Sequence, residues 1–292
     1  MAKGSTMRVR CTLQIAIGTA LVAASCLLAW AAPAFEPLHD GFDVAARKPD
    51  AAAWGTLIGP GSYLGATQLD PWPVRKGAVF PVAGGALRLT VESYNPSGLS
   101  WWGKHIVSHR AFQPTATHAV EVTFRMRVNG DSTGVVHSGY LYGCRDPDRC
   151  AAVHDEIDIE IIQGRDGVPT LVLNAYADEP LGLGRPTHLT PAGWAPAAFN
   201  TYKIVWSRTE IAFWLNDGLL ATYRAPEFPV PQGPMRFNAI SWVPTEETYN
   251  RAFSPLRKPT ADPAANQTFA AELDAVTVRA RALDRRDVGS NP

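Results

Sequence analysis

The chain has 292 residues, 46% hydrophobic and 18% charged, with a formal net charge of zero. That much apolar material can bury a core, which excludes an intrinsically disordered segment. Its 27 basic residues are balanced by 27 acidic ones and form no basic patch, so nucleic acid is excluded as a partner.

The N-terminus carries Lys3, Arg8 and Arg10, an apolar run from Leu13 to Trp30, then small residues around Ala32-Pro33-Ala34. This order reads as a secretory signal peptide over residues 1–34, cleaved before Phe35. An uncleaved anchor is the alternative, because the run approaches the ~18–20 residues that span a bilayer. Export implies a secreted or periplasmic protein with no membrane role beyond export itself. Of the four cysteines, Cys11 and Cys26 lie in the leader, while Cys144 and Cys150 bracket a polar loop. In an oxidising compartment the latter pair is expected to form a short-loop disulfide, with reduced thiols as the alternative.

The whole chain has 24 glycines and 24 prolines, and beyond the leader short apolar runs alternate with turn residues. Ala86 to Val91 reads as a strand. Val120, Val122, Phe124, Met126 and Val128 share one face of another, with Glu121, Thr123, Arg125 and Arg127 on the other. Leu171 to Tyr176 follows. Tyr202 to Ser207, Glu210 to Leu215 and Leu219 to Tyr223 make a meander whose second turn is Asn216-Asp217-Gly218, residues that tolerate positive φ. Met235 to Trp242 and Leu273 to Ala280 complete the set, with a Pro- and Ala-rich loop from Tyr249 to Gln267 between them. Many short strands and no sustained helical period predict an all-β sandwich or barrel. Residues 35–283 are expected to form one domain, and 284–292 a polar tail.

The segment carrying chemistry is His154-Asp155-Glu156-Ile157-Asp158-Ile159-Glu160-Ile161-Ile162. With a period of two, Ile157, Ile159 and Ile161 enter the core while Glu156, Asp158 and Glu160 project together from the other face. Three like charges in a row are costly, since each ionised neighbour opposes ionisation of the next. The cost is useful where one carboxyl must stay protonated while another is ionised. Glycosidic cleavage has that requirement: a carboxylate attacks the anomeric carbon and a carboxylic acid protonates the leaving oxygen. Retention needs the two carboxyls about 5–5.5 Å apart, whereas residues four apart on a flat strand are roughly 13 Å apart. A curved, concave sheet is needed for the glutamates to lean together. A calcium site and a merely solvated acidic face are the alternative readings.

This stretch resembles the active-site signature of glycoside hydrolase family 16, Glu-x-Asp-x-Glu on a strand of a concanavalin-like β-jelly roll. The opening His154-Asp155-Glu156-Ile157-Asp158 is most similar to the xyloglucan transglycosylases and the lichenase-like branch. The extra residue that laminarinases and agarases more often carry before the last glutamate is absent. Phe199 to Trp206 and Ile211 to Gly218 are similar to the family's downstream meander, and Phe35 to Trp54 and Ala271 to Val278 to its first and last strands. The resemblance implies a jelly-roll sandwich of two antiparallel sheets with a concave substrate cleft. It also implies Glu156 as nucleophile, Glu160 as general acid and then base, and Asp158 as the group that tunes the nucleophile. The chain departs from the family just upstream of the motif, where Gly139-Tyr140-Leu141-Tyr142-Gly143 stands in place of a tryptophan-rich stretch.

Sugars stack on aromatic rings and need polar partners for their hydroxyls. Among nine tryptophans, adjacent Trp101 and Trp102 face opposite ways in a strand. One belongs to the core, and Trp102 is the candidate for the cleft. Trp242, ahead of a long loop, is a candidate groove edge, whereas Trp206 and Trp214 read as packing residues. Tyr140, Tyr142 and Asn174 are candidate sugar contacts on strands beside the motif, and His154 reads as a structural hydrogen-bond partner. The expectation is a monomeric, retaining endo-hydrolase of a β-linked polysaccharide. It needs no cofactor and leaves room for a structural calcium. A transglycosylase on the same glycans and a non-catalytic lectin-like domain are the alternatives.

Overall fold

The computed structural model describes residues 35–43, 49–55, 63–69, 82–144, 153–164, 166–179, 184–245 and 258–283. The expected leader, the C-terminal tail, Cys150 and much of the Pro- and Ala-rich loop lie outside the described residues. No helix among those described is long and apolar enough to cross a membrane.

Two antiparallel layers make up the fold. The first runs, in spatial order, β2 (Trp54–Gly55), β7 (Trp101–Ser108), β16 (Arg236–Trp242), β9 (Val136–Gly143), β10 (His154–Gln163), β11 (Pro169–Glu179) and β12 (Thr187–Leu189). In the second, β17 (Thr268–Ala282) is flanked on one side by β8 (His118–Asn129), which continues into β13 (Asn200–Trp206), β14 (Glu210–Leu215) and β15 (Gly218–Arg224). On its other side lie β1 (Leu38–Asp40) and β6 (Ala86–Glu92), the latter edged by β5 (Val82–Ala83). The hairpin of β3 (Tyr63–Leu64) and β4 (Thr67–Leu69) adds to β7, β4 running parallel to it.

β7 belongs to both layers. Its first three residues pair with β4, two of them also with the end of β6, while Lys104 to Val107 pair with β16. The crossing requires a glycine: a Cβ on Gly103 would stand 2.5 Å from Thr67 Cγ2 and 2.7 Å from Ser241 O. The sheet therefore curls into a half-barrel, with β7 carrying the pairing from one layer to the other.

Alternation explains which faces meet. Val120, Val122, Phe124 and Met126 of β8 pack in one core with Ile157, Ile159 and Ile161 of β10 and with Leu171 and Leu173 of β11. Phe124 reaches so far across that a Cβ on Gly139 of β9 would lie 2.6 Å from its ring, so a strand residue opposite Ile159 is a glycine. The hairpin between β14 and β15 turns through Asn216 and Asp217, at φ of 46° and 66°. Positive φ thus falls on these two and not on Gly218, as a two-residue turn with a right-handed strand twist requires. Trp206 is buried and its indole donates to Pro231 O at 2.9 Å, a packing residue as expected.

Candidate active site

β10 lies between β9 and β11, and neither pairing shifts register from Glu156 to Ile162. With the isoleucines locked into the core at 0–3% exposure, the three acids are fixed on the concave face. Directly opposite residues in adjacent antiparallel strands lie roughly 4.5–5.5 Å apart and point the same way. Each acid therefore sits in a row of side chains crossing the layer.

The first row is Tyr176, Glu156, Tyr142 and Arg236. The second is Asn174, Asp158, Tyr140 and Asn238. The third is Val172, Glu160, Ser138, Ile240 and His105. Beyond it Ile162, Val136 and Trp242 join Leu69, Val172 and Ile240 in a buried apolar cluster. The face thus grades from aromatic and charged at one end to apolar at the other.

Glu156 is held from both directions along its own strand. His154 Nε2 is 2.8 Å from Glu156 Oε2, and Asp158 is hydrogen-bonded to Glu156 on the other side. Burial, the fields of Glu156 and Glu160 and that hydrogen bond all push the Asp158 carboxyl well above the usual carboxylate range. Asp158 therefore carries the proton of the hydrogen bond it shares with Glu156. Tyr140 is likewise pushed up, by burial first and the nearby acids second, and Tyr176 is raised to about 12 by burial, then by Asp158 and Glu156. Both remain phenols. Burial pushes His105 down to about 4, so its neutral ring donates from Nε2 to Asn238 Oδ1 at 2.9 Å. Asp155 points away from this face and accepts the Gly233 N–H at 3.0 Å, tying β10 to the segment before β16.

The protonated Asp158 has a consequence for stability. The folded chain keeps a proton that the unfolded chain loses near 3.8. The associated stabilisation is complete below that value and is lost as pH rises through the folded-state value. Asp158→Asn has no such proton to lose. Its thermal midpoint is expected to gain on wild type as pH is raised above about 4. Parallel pH dependences of the two midpoints would show that Asp158 is ionised in the folded protein.

Tyr140, Tyr142 and Asn174 are brought against the acids, in the first two rows. Trp242 is only 6% exposed within the apolar cluster, so the groove edge expected of it is not presented. Trp102 is registered with Gln68 and Glu92, in none of the three rows. Its indole donates to Gln68 Oε1 at 3.3 Å and its edge meets Tyr94. Sequence reasoning missed Tyr176, Arg236, Asn238 and His105. Three of these lie on segments recognised as strands or directly after one, and strand register was the missing information. Arg236 makes no ion pair among the described residues, and Asn174 Oδ1 and His105 Nδ1 are buried without a hydrogen-bond partner. Among the described residues no group of three or more His, Cys, Asp or Glu is arranged to hold a metal ion.

Residues 85–254 match the family described as Glycosyl hydrolases family 16. The chain is 34% identical over 119 residues to Xyloglucan endotransglycosylase/hydrolase protein 8 of Oryza sativa subsp. japonica, covering 39% of this chain and 38% of that relative. It thus spans well under half the length of that curated protein. Among solved structures it is similar to the Bacillus licheniformis beta-glucanase, with a TM-score of 0.61 at 18% identity over 84% of this chain and 98% of that one. The catalytic domain of an endo-1,3-beta-glucanase (laminarinase) from Thermotoga petrophila gives 0.63 at 13% identity, covering 85% and 97%. These likenesses are of fold.

Proposed function

The chain belongs to glycosyl hydrolase family 16, and from that premise we propose that it is an exported, retaining, endo-acting hydrolase of a β-linked glucan or related polysaccharide. The observation that carries the reading is the concave acid row, in which Glu156 is hydrogen-bonded to His154 on one side and to Asp158 on the other. Such an arrangement suits a carboxylate that must act as nucleophile and then leave.

In the first step Glu156 attacks the anomeric carbon as the bond to the glycosidic oxygen breaks, and Glu160 passes its proton to that oxygen. In the second, water attacks the same carbon while Glu160 takes its proton and the ester bond to Glu156 breaks. Asp158 supplies a hydrogen bond that follows the charge on Glu156 through both steps. Tyr140, Tyr142, Tyr176, Asn174 and Arg236 offer ring faces and hydrogen-bonding groups on both sides of the acid strand, as an extended sugar chain crossing the strands requires. The leader over residues 1–34 supports export.

A second reading has one observation behind it: the curated relative is named a xyloglucan endotransglycosylase/hydrolase. If a sugar hydroxyl replaces water in the second step, the same residues perform transglycosylation. Reducing-end release from a panel of β-glucans, xyloglucan, galactans and acidic exopolysaccharides tests both. Release from one polymer establishes hydrolysis and its substrate class. Redistribution of chain length without new reducing ends identifies transfer. Neither, from folded protein across the whole panel, would leave a binding domain.

A further inference from the structure

His154 lies one alternation along β10 from Glu156 and on the same face. Its side chain is 2% exposed, and its ring is sandwiched. Tyr142 stacks on one side, with centroids 5.1 Å apart and planes 26° apart, and Tyr176 lies on the other at 5.1 Å and 43°. Those two tyrosines are the residues directly opposite Glu156 on either neighbouring strand. The sandwich is made where the register with β11 shifts, since His154 opposes Glu179 while Glu156 opposes Tyr176. One extra β11 residue is accommodated there, and an irregularity of this kind re-aims side chains. On the β9 side the pairing stays regular.

We propose that His154 is a positioning residue for the nucleophile: the two tyrosines fix the imidazole, and its Nε2–H holds the Glu156 carboxylate in the plane from which it attacks. The inference rests on Glu156 being the nucleophile. A carboxylate accepts only, so the ring nitrogen 2.8 Å away carries the proton. A glutamate side chain has three torsions to fix. Here it is tied at one side to His154 and at the other to Asp158, so the carboxylate is oriented before substrate arrives. A core histidine with a merely structural role would not need its one described hydrogen bond to end on the reacting group.

The groups facing Glu156 are His154 and Asp158 on its own strand, Tyr142 on β9 and Tyr176 on β11. Glu160 lies farther along the same face and Arg236 beyond Tyr142. Removing the His154 donor leaves only the Asp158 hydrogen bond to orient the Glu156 carboxylate.

His154→Phe keeps an aromatic ring between the tyrosines and deletes the donor. The expected result is a roughly 10- to 100-fold fall in kcat, the scale of a hydrogen bond to a charged group. KM is expected to change little, so the loss falls on the chemical step. A folded variant with wild-type kcat would overturn the proposal. If the phenylalanine variant does not fold, His154→Gln and His154→Met make the same comparison between a side chain that donates and one of similar length that does not. Equal kcat in that pair overturns the proposal, and a tenfold advantage for glutamine supports it. The underlying reading fails separately, if Glu156→Gln keeps wild-type turnover.

Discussion

Glu156→Gln is expected to reduce kcat on the cognate polymer by about four orders of magnitude or more, the scale seen when a covalent nucleophile is removed. The amide is nearly isosteric and still offers an oxygen to the His154 donor 2.8 Å away, so fold and substrate affinity are expected to survive. What disappears is the electron pair that forms the bond to the anomeric carbon. Initial-rate measurements alongside binding of the intact polymer separate the two effects. In Glu156→Ala, which leaves space, a small anion such as azide is expected to attack from the vacated side. The product then carries the opposite anomeric configuration to that of the wild-type reaction. Residual turnover within tenfold of wild type in the glutamine variant would remove Glu156 from the chemistry.

Glu160→Ala is expected to be harmful in a way that depends on the substrate. General-acid assistance contributes about 10²–10⁴-fold, so polymer cleavage, whose leaving group is a poor sugar alkoxide, falls by that factor. With an aryl glycoside, whose phenolate leaves without a proton, the first step is expected to be nearly unimpaired and the second to become limiting. A burst of phenol followed by slow turnover is the signature. Equal losses on both substrates would mean that Glu160 shapes the site without transferring a proton. The third row supports its placement: Glu160 stands between Val172 and Ser138 on the concave face, with its strand pinned by Ile159 and Ile161 beneath.

Much of this arrangement was legible in the sequence, because strict alternation leaves little choice about facing. The pattern of β10 predicted that three isoleucines would be buried and three acids would share the other side, and both hold. The β8 stripe from Val120 to Val128 is buried as its alternation requires. Register was not legible. Nothing in the local sequence says that Tyr176 and Arg236 share a row with Glu156, or that His105, some fifty residues upstream, closes the row of Glu160. The double allegiance of β7 was also hidden, since it depends on a single glycine meeting Thr67 and Ser241. Trp242 shows the limit of composition as evidence. An aromatic residue before a long loop was expected to edge a groove, and it lies instead inside an apolar cluster built from four other strands. His154 was expected to be structural. Its burial fits that expectation, but its hydrogen bond to Glu156 gives the burial a chemical purpose.

Retention is the property on which nucleophile, acid and positioning histidine all depend. The most direct test is proton NMR of the products in the first minutes of polymer cleavage, before mutarotation equilibrates the anomers. Release of the β anomer first is the expected result, because two successive inversions at the anomeric carbon restore its configuration. Initial release of the α anomer would mean a single displacement by water, and Glu156 would then not be a covalent nucleophile.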